Sequence, residues 1–233
     1  MLVGGQVWNA QAVANVTNAL AKADVRHTVL LDKLADICGG MTASDFNGQA
    51  VSSILKAYAK LQHSCPKLLR HLASTIVLMP LATFQPQAIA NIVDSLMRFQ
   101  SDFKECKTDE RKTDARVMDV FRRMSHAAQS NALCAFRGQS ISVILNAYVR
   151  KGFIDEELFA FMSRSIQTLP ASVLAAEHIA LITNAFAKAQ IFDEELLSYM
   201  SRVTMVTPHV GESEVHPLPI YCLFQDTHAC MFE

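Results

Sequence analysis

The sequence predicts an all-α fold: an α-solenoid of about five 38-residue helical hairpins followed by an irregular C-terminal tail. Three observations carry this expectation. A twelve-residue pattern recurs, as QAVANVTNALAK from Gln11, QAVSSILKAYAK from Gln49, QAIANIVDSLMR from Gln87, QSISVILNAYVR from Gln139 and EHIALITNAFAK from Glu177. Its copies begin 38, 38, 52 and 38 residues apart, so the third interval is one period plus 14 residues. A fixed period of this length marks stacked supersecondary units. Apolar residues within each copy follow the spacing of a helix. Finally, a hydrophobic content of 51% supplies ample core. No apolar run suits a membrane span, since the uncharged stretch from Leu72 to Val93 is broken by Pro80 and Pro86.

The first helix of each repeat is read with the opening Gln or Glu as position 0. Position 2 holds Val13, Val51, Ile89, Ile141 and Ile179, and position 5 holds Val16, Ile54, Ile92, Ile144 and Ile182. Position 9 holds Leu20, Tyr58, Leu96, Tyr148 and Phe186. At 100° per residue these fall on one side of a helix, the buried stripe. Positions 3 (Ala14, Ser52, Ala90, Ser142, Ala180) and 8 (Ala19, Ala57, Ser95, Ala147, Ala185) are small throughout and flank it. Equivalent helices of adjacent repeats can approach closely there. Trp8, Phe46, Phe84, Phe136 and Leu174 stand three places before the opening residue. Asn9, Asn47 and Pro86 are helix starters beside them.

A second helix follows in each repeat, with Leu30, Leu31 and Leu34 in the first and Leu68, Leu69 and Leu72 in the second. In repeats four and five it opens on Asp155–Glu157 and Asp193–Glu195, acids that the helix macrodipole favours in a first turn. In repeat three, Met124-Ser125 aligns with Met162-Ser163 only when 14 residues are removed. The extra segment is expected to be a nearly neutral, solvated loop over about 101–114, inside a repeat domain of residues 1–206. From Thr207 the period breaks. Residues 207–233 hold Pro208, Pro217 and Pro219, with the acids Glu212, Glu214, Asp226 and Glu233 and no Lys or Arg. An extended segment docking on a neighbour through Ile220, Tyr221, Leu223 and Phe224 is expected there. With those acids set apart, the repeats are mildly basic although the whole chain has a net charge of −1.

Phe84-Gln85-Pro86-Gln87-Ala88-Ile89-Ala90-Asn91-Ile92 resembles the opening of an octotricopeptide repeat, a helical hairpin of the same period. Related heptatricopeptide-type repeats accompany RAP-domain proteins of algal and apicomplexan organelles. The resemblance covers about residues 8–206. It departs from the family in having no recognisable RAP domain, and in carrying Lys56, Asp94 or Asn where the family often has Trp in the first helix. The resemblance implies a right-handed superhelix. It also implies a role in an organellar ribonucleoprotein, as a mitochondrial ribosome component or an RNA processing or assembly factor, with RNA and protein subunits as partners. Mitochondrion is the implied compartment and plastid the alternative. The first 21 residues carry no charge, so no leader of the secretory or Arg-rich transit type is legible.

Positions 0, 4, 7 and 11 share the face opposite the buried stripe. Position 11 is basic in every copy (Lys22, Lys60, Arg98, Arg150, Lys188) and position 7 is polar (Asn18, Lys56, Asp94, Asn146, Asn184). Stacked hairpins would turn them into two ladders. Lys22, Lys60, Arg98, Arg150 and Lys188 would anchor phosphates, while at position 7 Asn18, Asn146 and Asn184 could read base edges and Lys56 would contact the RNA as a cation. The competing reading is structural, because a cation near a helix C-terminus gains about 0.3–1 kcal/mol whatever binds. A protein–protein scaffold without RNA contact is the alternative function. Acids such as Asp94 or Glu177 neutralising the ladder would favour it.

Nothing points to catalysis, a cofactor or a small-molecule substrate: there is no phosphate-cradling Gly-rich loop, no G-x-S-x-G and no HExxH. Cys38, Cys65, Cys106, Cys134, Cys222 and Cys230 are widely spaced and read as reduced thiols. His209, His216, Cys222, His228 and Cys230 match no zinc spacing, and His63 and His71 read as structural.

Overall fold

The computed structural model describes the backbone of residues 2–3, 6–99 and 110–206, with side chains for 8–99 and 115–205. The fold is all-α. Its only strands among the described residues are Leu2–Val3 and Gln6–Val7, paired antiparallel. The chain divides into two compact units, residues 1–131 and 132–233. In the first unit, three hairpins are formed by α1 (Ala10–Ala23) with α2 (Thr28–Gly39), α3 (Gly48–Lys60) with α4 (Pro66–Leu78), and α5 (Pro86–Arg98) with α6 (Glu110–Gln129). The second unit contains α7 (Gly138–Lys151), α8 (Glu156–Gln167), α9 (Ala176–Ala189) and α10 (Glu194–Val206).

First helices pack on first helices, α1 on α3 on α5 and α7 on α9, and second helices stack as α2, α4, α6 and as α8, α10. First helices of neighbouring repeats approach more closely than the two helices of one hairpin. Small side chains explain this. Gly48 sits so tightly under the next repeat that a Cβ there would lie 2.2 Å from the Thr83 carbonyl oxygen. One on Gly138 would lie 2.8 Å from the Leu174 side chain. The stripe is the core, with every position-2 residue buried and Tyr58, Leu96, Tyr148 and Phe186 buried at position 9; Val16 and Leu20 of α1, expected there too, are only half-buried, since no described repeat precedes α1. Phe46, Phe84, Phe136 and Leu174 are buried as expected of residues that open each repeat.

The helix starts follow the capping rules. Asn9 and Asn47 accept from the backbone N–H groups of Ala12 and Ala50 at 2.8 and 2.7 Å. Asp155 and Asp193 do the same for Leu158 and Leu196 at 3.0 and 2.9 Å, with glutamates in the turn that follows. The helix ends hold a feature the residue types hide. Position 13 is left-handed in four repeats, at Asp24 (φ 56), Gln62 (φ 51), Gly152 (φ 72) and Gln190 (φ 58). The next N–H then returns to the position-9 carbonyl, as in His63 to Tyr58 at 3.1 Å and Phe153 to Tyr148 at 3.1 Å.

One boundary differs from expectation. The loop expected over about 101–114 is shorter at its C-terminal side, because α6 begins at Glu110. Glu, Arg and Lys are strong helix formers, and Glu110-Arg111-Lys112 extends the second helix of repeat three backward. The rest of the expected loop, 101–109, lies outside the described residues, as does the tail 207–233 with Ile220, Tyr221, Leu223 and Phe224.

Candidate nucleic-acid interface on the first helices

The candidate cations all reach solvent. Lys22, Lys60 and Arg98 stand in the last turns of α1, α3 and α5 in the first unit. Arg150 and Lys188 hold the same places on α7 and α9 in the second. All five are exposed. Of the position-7 residues, Asn18, Lys56 and Asn184 are exposed, whereas Asp94 and Asn146 are half-buried.

Two members of the pattern are engaged within the fold. Arg98 Nε donates to Asp94 Oδ2 at 2.9 Å, one helical turn back. Lys56 Nζ donates to Asn91 Oδ1 in the next repeat at 3.1 Å, and the same oxygen accepts from Gln87 Nε2 at 3.1 Å. Asn91 therefore ties the position-7 side chain of one repeat to the following one. Lys22, Lys60, Arg150 and Lys188 form no ion pair with a described residue. The Asp94 carboxylate thus neutralises one rung; Glu177, the other acid on this face, makes no described ion pair.

The first helices share a basic bias. The first helices carry Lys22, Lys56, Lys60, Arg98, Arg150, Lys151 and Lys188 against Asp94 and Glu177 alone. The second helices are mixed: α8 and α10 open on the acids Asp155–Glu157 and Asp193–Glu195 against Arg164 and Arg202, whereas α4 carries Lys67 and Arg70 with no acid, and α6 carries Arg116, Arg122 and Arg123 against Asp119 over 115–129. The macrodipole accounts for a single cation at each helix end. It does not account for Lys56 in mid-helix, nor for so few acids on the same face.

His63 has a structural role that sequence reasoning only partly foresaw. Its side chain is 6% exposed, and its Nε2 meets Asp32 Oδ1 of the preceding repeat at 2.9 Å. Beside it the Tyr58 hydroxyl donates to the Leu31 carbonyl at 2.7 Å. Burial holds the Tyr58 and Tyr148 phenols well above their ordinary range and pushes the Cys38 thiol up to about 12. Cys38, Cys65 and Cys134 are free thiols. His27 was not anticipated as a cap, yet its Nδ1 accepts from Leu30 N–H at 3.2 Å. Among the described residues, no group of three or more His, Cys, Asp or Glu side chains could hold a metal ion, and no helix is long and apolar enough to cross a membrane.

No protein-family model matches this chain, and no curated protein does either.

Proposed function

We propose that this chain is a non-catalytic helical-repeat component of an organellar ribonucleoprotein, mitochondrial in the first instance, and that its first helices contact single-stranded RNA. The observation that carries the RNA contact is a recurring cation: exposed Lys22, Lys60, Arg150 and Lys188 without a described counter-ion, at one position of first helices that hold almost no acid. Lysine and arginine recurring at one repeat position meet a polyanion whose charges also recur. The organelle and the ribosomal or RNA-processing setting rest on the octotricopeptide resemblance. Arg98 contributes little, because Asp94 already pairs with it.

That pair, with the Lys56–Asn91 tie, favours a second reading in which the same face holds a protein partner and no RNA.

Binding of labelled single-stranded RNA across a salt series separates the two. Four cations engaged on phosphates give a slope of log affinity against log salt of about −2.8, at roughly −0.7 for each. Lys60→Ala reduces that slope by about 0.7. Absence of binding at low salt overturns the RNA contact and leaves the scaffold.

A further inference from the structure

We propose that the chain associates head-to-tail with a second copy of itself, the exposed face of α9 in one copy packing on the exposed face of α1 in the next. The interior repeats define the interface. In α1, Ala10 and Ala14 are each 2% exposed where α3 packs, and in α7 Gly138 and Ser142 are buried where α9 packs. These positions meet the following repeat. The equivalent residues of α9, Ala176 and Ala180, are exposed. Their face of α9 is built like the covered ones and has nothing described upon it.

The opposite half of the same kind of interface stands open on α1. Ala57 of α3 is 2% exposed beneath α1, and Ala185 of α9 is 0% exposed beneath α7. Their counterpart in α1 is Ala19, which is exposed. The turns between the two helices repeat the contrast: His63 is 6% exposed against the preceding repeat, while Val25 at the same repeat position is 48% exposed. Terminal repeats ordinarily present polar outer faces; exposed alanines stand on both of these, with Val25 beside Ala19 on that of α1. The two faces are complementary because each is half of a contact the fold already makes between its own repeats. In register, the Lys56–Asn91 contact has Asn184 of one copy opposite Asn15 of the next, two amides able to pair. Such an interface is heterologous, so copies add until a ring closes or the faces run out.

Sedimentation velocity on the full chain tests this, with Ala19→Arg and Ala180→Arg as variants. The parent's sedimentation coefficient should rise with concentration across the micromolar range. Each variant alone should stay monomeric, since one of its two faces is blocked. Their equimolar mixture should form a dimer that grows no further, because Ala19→Arg keeps the face around Ala180 and Ala180→Arg keeps the face around Ala19. Dimer formation in the mixture shows that both variants are folded, which circular dichroism checks separately. A parent that stays monomeric at every concentration overturns the proposal, as does a mixture that stays monomeric while the parent associates. Association that appears only on deleting 207–233 also overturns it, and assigns one of the faces to that segment.

Discussion

At the scale of single residues, this chain tolerates a backbone conformation its side chains do not favour. A left-handed residue costs an L-amino acid about 1–2 kcal/mol, and the repeat places Asp24, Gln62 and Gln190 there while supplying glycine only at Gly152. Gln62→Gly should therefore stabilise the protein by about 0.5–1 kcal/mol, and Gly152→Ala should cost a similar amount. Urea denaturation followed by circular dichroism reads both. A loss of stability on Gln62→Gly would show that the glutamine side chain contributes more than its backbone costs. Tyr58 offers a second check on the repeat interface. Its buried hydroxyl donates to Leu31 in the previous hairpin, so Tyr58→Phe should cost about 1–2 kcal/mol. No change would mean that the bond contributes nothing net to the joining of repeats one and two.

At the scale of elements, what decides stacking is the room between first helices. Gly48 has the Thr83 carbonyl where a Cβ would go, whereas Gly39 at the end of α2 has nothing within 4 Å. Gly48→Ala should then cost about 1–3 kcal/mol by overpacking, while Gly39→Ala should be neutral or gain up to about 1 kcal/mol from helix propensity. Opposite signs in a thermal melt distinguish close packing from a general effect of glycine. This is also where sequence and structure can be compared most directly. The apolar stripe and the Asn9, Asn47, Asp155 and Asp193 helix starts were legible, because burial and capping depend on residue type at a fixed spacing. The left-handed position 13 was hidden because Asp24, Gln62 and Gln190 carry no glycine signal. The start of α6 at Glu110 is not legible in the repeat period, because residues outside the period carry no register, although Glu110, Arg111 and Lys112 are good helix formers. The His63–Asp32 contact spans two repeats, and a single-repeat pattern does not show such partners. For the candidate interface, exposure at position 11 was legible, but the engagement of Lys56 by Asn91 was not, since it too crosses between repeats.

At the scale of the whole molecule, a net charge of −1 conceals two opposed contributions. The first helices are basic, and residues 207–233 hold acids without a single Lys or Arg. For a chain that binds RNA through its first helices, local contacts and total charge make different marks on affinity. The salt slope counts phosphates in contact, whereas distant charges shift affinity mainly at low salt, where screening is weak. Asp94→Asn releases Arg98 from its ion pair and should steepen the slope by about 0.7, one further phosphate. Deleting 207–233 removes Glu212, Glu214, Asp226 and Glu233 and should raise affinity at low salt while leaving the slope unchanged. Titrating both variants with the same labelled RNA separates the two effects. A steeper slope confined to Asp94→Asn places the RNA along α5. Equal gains for both variants with no change in slope would instead mean non-specific attraction to a basic protein. No effect of either would return the first-helix face to a protein partner, where the Asp94–Arg98 pair and the Lys56–Asn91 contact serve to hold the repeats in shape.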